Sequence, residues 1–96
     1  MKVSEITNLD LAKYCRIDEP DEDDLKLLDV ALAAAKSYVC GYTGLTEAQL
    51  DEHDDIVIAV YVLCEDMYDN RALVVDKDTL NPTVVTILSL HSVNLI

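Results

Sequence analysis

The chain is predicted to be all-α, a small bundle of about four helices over residues 8–16, 20–42, 54–71 and 82–91, with a short helical turn at 47–51 and an extended connector at 72–80. Three observations predict this class. Cap signatures stand before the first, second and last apolar segments, apolar residues recur at alternating steps of three and four, and the only glycines, Gly41 and Gly44, fall together at the end of one such pattern. Ninety-six residues make a single domain, 1–96.

Thr7 opens the first helix, since its hydroxyl can accept the backbone N–H three residues on, where Asp10 takes the Glu or Gln position of a capping box. The second helix follows Asp18-Glu-Pro-Asp-Glu-Asp-Asp24, acidic at six of seven positions, with Pro20 placed as a first helical residue that tolerates a missing N–H. Within it Leu25, Leu28, Leu32, Ala35, Val39 and Tyr42 form one apolar stripe, and Leu27, Ala31, Ala34 and Tyr38 a second. Gly44 is expected to take the left-handed backbone that closes the helix.

Thr46-Glu-Ala-Gln49 is a capping box for the short turn. The nine apolar residues Ile56–Cys64 are rich in Val and Ile and suit a buried strand by propensity. Length decides for a helix, because the pattern continues through Met67 and Tyr68 without Gly or Pro, beyond a usual strand. Residues 72–80 have weak strand character. Asn81 then caps, Pro82 takes the first position, and the last helix places Val84, Ile87, Leu88 and His91 on one face.

Charge is distributed unevenly. All nineteen acids and seven bases lie at or before Asp78, for a net charge of −12, so residues 79–96 carry no Asp, Glu, Lys or Arg. This end is half apolar, and a domain so short buries only about 60% of its unfolded surface. With Val84, Ile87 and Leu88 turned to the bundle, Val85, Leu90, Val93, Leu95 and Ile96 remain as interface candidates. The same stretch is interrupted by Asn81, Pro82, His91 and Asn94 and makes a poor membrane span, so no membrane partner is expected. Seven bases assemble no phosphate-binding stripe. Met1–Thr7 has one lysine and no apolar run of signal-peptide length.

Neither a metal nor a catalytic centre is announced, and no cofactor is expected. The acidic residues Asp18, Glu19, Asp21, Glu22, Asp23 and Asp24 miss the EF-hand pattern, because Pro20 falls where an oxygen ligand is needed; Asp76-Lys-Asp78 fails with Leu80 at the next ligand position. The acidic run reads instead as a solvated complement to a helix dipole. Glu65, Asp66 and Asp69 read as the wet side of the third helix. His53 and His91 have no partner at zinc-ligand spacing, and His91 is expected to be a hydrogen-bonded interface residue. Cys15, Cys40 and Cys64 are odd in number and widely spaced, as free thiols of a reducing cytoplasm are. Without a glycine-rich turn for an oxyanion hole, a Ser or Cys nucleophile has no visible home, and an enzyme is not expected.

Taken in order, these signals resemble the small all-helical head-tail connector (adaptor) proteins of tailed bacteriophages and prophages, often labelled DNA-packaging proteins. The resemblance spans most of the chain: Cys15-Arg16-Ile17-Asp18, the acidic Asp21–Asp24, Ala33-Ala34-Ala35-Lys36-Ser37-Tyr38, Tyr42-Thr43-Gly44, Asp66-Met67-Tyr68-Asp69-Asn70-Arg71, Asn81-Pro82-Thr83-Val84, and Ile87-Leu88 with His91 and Val93-Asn94. It implies a homo-oligomeric ring of about twelve subunits at the virion neck, assembled in the host bacterial cytoplasm. Its partners are the portal protein above and the next head-completion or tail protein below. DNA passes through without specific binding, and the acidic run from Asp18 to Asp24 is a candidate for the lumen or the outer surface. Ser92 departs from the pattern, since some members are expected to carry a base beside the histidine, and no phosphate contact is expected there. The rival reading from charge and length is an acidic inhibitor that mimics DNA and blocks a host DNA-binding protein.

Overall fold

The computed structural model describes residues 1–70 and 80–92. Among these residues five α-helices follow one another: α1 Asn8–Tyr14, α2 Glu22–Thr43, α3 Glu47–Leu50, α4 Ile56–Asn70 and α5 Pro82–His91. A 3-10 turn, Val3–Glu5, precedes them, and there is no strand among the described residues. The expected connector at 72–80 lies outside the described residues apart from Leu80, which packs against the core.

Side chains start the helices from within the chain. The Asp10 N–H donates to Thr7 Oγ1 at 3.2 Å while the Thr7 N–H donates to Asp10 Oδ2 at 2.9 Å. Before α2 the same reciprocity joins Asp21 and Asp24, at 2.8 and 3.2 Å, and before α3 it joins Thr46 and Gln49, at 3.3 and 2.9 Å. The second box corrects the expected start of α2. Asp21 accepts an otherwise orphaned N–H, so it becomes the cap, the helix begins at Glu22, and Pro20 stands before the cap instead of in the first turn.

The ends of α1 and α2 share a device. The Gly44 N–H donates to the Cys40 carbonyl at 2.9 Å with Gly44 at φ 77°, as a left-handed cap requires. Arg16 adopts φ 61° without being glycine, and the Ile17 N–H reaches back to the Ala12 carbonyl at 2.9 Å. The left-handed residue turns the chain away, which ends α1 at Tyr14 and not at Arg16.

One wide apolar face on α2 organises the bundle. Leu28, Ala31, Ala35 and Val39 are fully buried and take members from both expected stripes, while Leu32, Ala34, Tyr38 and Tyr42 flank them half-buried. The two stripes are therefore the edges of a single face, against which α1, α4 and α5 pack. Small residues at 31 and 35 allow close approach. Central α4 buries Ile56, Ala59, Val60, Leu63, Cys64 and Met67 and contacts α1, α2 and α5, which explains why its sequence is apolar almost all round. It begins at Ile56, after the Val57 and Ile58 N–H groups bond back to Asp54 and Asp55 carbonyls in tight i→i−3 steps.

The amino-terminal turn contributes core that local pattern did not suggest. Val3 and Ile6 are buried, and the Ser4 N–H donates to Asp51 Oδ1 at 2.9 Å, closing the segment over the end of α3. No buried side-chain nitrogen or oxygen among the described residues lacks a partner. Thr43, the one fully buried polar residue among those described, donates to the Val39 carbonyl at 2.7 Å and accepts the Leu45 N–H at 3.2 Å.

Candidate interaction surface

Helix α5 begins as its sequence dictates. Asn81 Oδ1 accepts the Thr83 N–H at 2.8 Å, and Pro82 fills a position whose N–H has no acceptor. Val84 and Leu88, one turn apart, are fully buried, and Ile87 is half-buried at the edge of the core. Val85 is 36% exposed and Leu90 72% exposed, on opposite flanks of a helix that carries no carboxylate, lysine or arginine. Of the other interface candidates, Val93, Leu95 and Ile96 lie outside the described residues.

Polar contacts fix which way α5 faces. Tyr42 Oη and Ser89 Oγ lie 3.1 Å apart, and Ser92 Oγ donates to the Tyr42 carbonyl at 3.4 Å, both tying α5 to the end of α2. His91 Nε2 meets both oxygens of Asp55 at 2.8 Å, while its ring lies 4.1 Å from that of His53. His91 is hydrogen-bonded, as expected, and the partner is Asp55 of its own chain. The two histidines, distant in sequence, come together, yet no group of three or more His, Cys, Asp or Glu among the described residues could hold a metal ion.

The acidic run is spent partly on structure. Asp18, Glu19, Glu22 and Asp23 are exposed, whereas Asp21 and Asp24 cap α2 and Asp24 Oδ1 also accepts the Tyr68 hydroxyl at 3.2 Å. The run brings four uncommitted carboxylates to one end of α2, beside its positive dipole end. Gly44, Thr46, Asn81 and Pro82 have the structural roles expected of them.

A second apolar surface was not visible in the sequence. The Tyr61 ring lies 5.1 Å from that of Tyr14, and its hydroxyl donates to Met1 Sδ at 3.4 Å. Beside it, Tyr14, Cys15, Arg16, Glu65 and Asp69 line an open depression of about 360 Å³. Burial, and then the charges of Glu65 and Asp69, push the Cys15 thiol up to about 11. Burial pushes Cys64 further, to about 12. Both thiols are therefore protonated at neutral pH, the opposite of what a nucleophilic cysteine needs. Burial, with Asp69 one turn away, also raises the Asp66 carboxyl.

Neither a family model, nor a curated protein, nor a solved structure matches this chain. No helix among the described residues is long and apolar enough to cross a membrane.

Proposed function

We propose that this protein is a structural virion subunit, a head-tail connector that assembles as a ring under the portal, completes the head, retains DNA and receives the next neck or tail component. One observation supports the reading most: on a chain of net charge −12, the uncharged segment 79–96 contains α5, which buries Val84 and Leu88 and leaves Val85 and Leu90 exposed. Apolar surface that is stripped of charge suits a contact with another chain. The remaining surface is acidic and lets duplex DNA pass without being gripped, because like charge offers no counterion release.

The test is imaging of the purified protein, alone and mixed with portal, by electron microscopy. Rings with a central opening are expected. Monomers in both samples overturn the reading. The acidic run Asp18–Asp24 favours a second reading, a DNA mimic that occupies a host DNA-binding protein; that reading requires such a protein to co-purify from host lysate.

A further inference from the structure

Seven bases stand against nineteen acids in this chain, and two of the seven converge on one depression. Lys13, Arg16 and Asp18 line an open hollow of about 270 Å³ whose wall is otherwise apolar, with Leu9, Ile17 and Pro20 in it. Neither basic side chain makes an ion pair or hydrogen bond among the described residues. Asp18 shares the hollow with both, and Glu65 and Asp69 share the neighbouring depression with Arg16, yet none of the three comes within ion-pair distance of them. Leu9 is 61% exposed, a large apolar side chain held in water beside two unengaged cations.

The hollow is a product of the turn that ends α1. Leu9 and Lys13 lie one turn apart on that helix and share a flank. Arg16, at φ 61°, then reverses the chain, and the bond from the Ile17 N–H to the Ala12 carbonyl folds the segment from Ile17 to Pro20 back beside that flank. Glycine would hold such a turn with less strain. With arginine in its place, the turn supplies the hollow with its second cation.

Charge and wall together define what fits. Two cations against one carboxylate leave the hollow a single positive charge, which one negative charge balances. Leu9, Ile17 and Pro20 offer an apolar body nothing to hydrogen-bond and a surface to cover it, so the ligand is an anion at one end only. The volume, close to the lower bound of ligand pockets, keeps it small.

We infer that this hollow binds a small monocarboxylate with a short apolar chain: Lys13 and Arg16 hold the carboxylate, and Leu9, Ile17 and Pro20 cover the chain. The site does not depend on the ring reading, and neither fails with the other.

Amide NMR titrations of the protein at neutral pH and low salt test it, with octanoate, acetate and octylammonium as probes. Octanoate should move the Lys13, Arg16 and Ile17 amides saturably, with a Kd of about 1 mM. Acetate, which lacks the chain, should bind at least about tenfold more weakly. Octylammonium should leave these amides in place, although the −12 charge draws cations to the protein as a whole. Lys13→Gln and Arg16→Gly should each weaken octanoate at least about threefold, and Leu9→Ser should weaken it as much without a change of charge. All three positions are exposed and glycine suits the turn at 16, so helical circular dichroism should be kept. Octanoate that leaves the three amides unmoved at about 20 mM overturns the site. So does acetate binding as well as octanoate, octylammonium moving the same amides as far, or folded variants at positions 9, 13 and 16 that all bind octanoate like wild type.

Discussion

His91 Nε2 lies 2.8 Å from each carboxylate oxygen of Asp55, which joins the last turn of α5 to the residue just before α4. His91 is 20% exposed and Asp55 41%, so water weakens the pair on one side only. His91→Ala should lower stability by about 1 kcal/mol, the usual worth of a part-buried bond of this kind after solvent screening. Hydrogen exchange should quicken in α5 more than in α2. Unchanged exchange in α5 means that Val84 and Leu88 hold the helix without the tie.

Gly44→Val should cost roughly 1 to 2 kcal/mol, because a β-branched side chain is strained at φ 77°. Gly44→Asn should cost less, since asparagine tolerates this region. Equal thermal melts for wild type and the Val variant contradict the cap.

Arg16→Gly should raise the melting temperature. Relief of a non-glycine residue from φ 61° is worth about 1 to 2 kcal/mol, against about 0.5 to 1 kcal/mol lost to the greater freedom of unfolded glycine. A fall in melting temperature shows that the arginine side chain contributes contacts that outweigh its backbone strain.

These two left-handed residues mark where the sequence was legible and where it was not. Gly44 announced its turn by composition, whereas Arg16 carried no such mark, and α1 stops two residues before its expected end. Asn81 and Pro82 placed α5 correctly because cap and first-turn chemistry are local. Pro20 misled for the same reason: two local signals competed at the start of α2, and a carboxylate that accepts an N–H outweighed a ring that merely tolerates its absence. The outward side of α5 was readable from an absence of charge. The Tyr61 patch was not, since Met1 and Tyr61 meet across sixty residues of chain, and neither helical period nor capping encodes such a meeting.

Core and surface on α5 should respond differently to charge. Leu88→Asp should unfold the domain, since an unpaired carboxylate is heavily penalised at a fully buried site. Ile87→Asp, at the half-buried edge, should be milder. Leu95→Asp should leave helical circular dichroism intact and prevent ring assembly; a melted domain or normal assembly contradicts a tail interface.

Stability should fall in alkali through the thiols. Cys64 titrates near the ordinary thiol value when unfolded but only at about 12 when folded, so its protonated form is favoured by the fold. Its stabilising effect is complete below the unfolded value and is lost as pH rises toward 12. Cys64→Ala should flatten that alkaline slope in denaturant titrations, and an unchanged slope assigns it to other groups. At neutral salt and pH the protein should show no micromolar binding to duplex DNA in a mobility-shift titration.

The packing of Val3 and Ile6 beneath the turn at Ser4 has a consequence for the order in which this chain takes shape. Residues 1–6 depend on partners far along the chain: Ser4 waits for Asp51, and Met1 for Tyr61. Helices α1, α2 and α3 carry their own capping boxes, so their starts are set by neighbours in sequence. Residues 1–6 therefore settle after α3 and α4, as a latch over helices already in place.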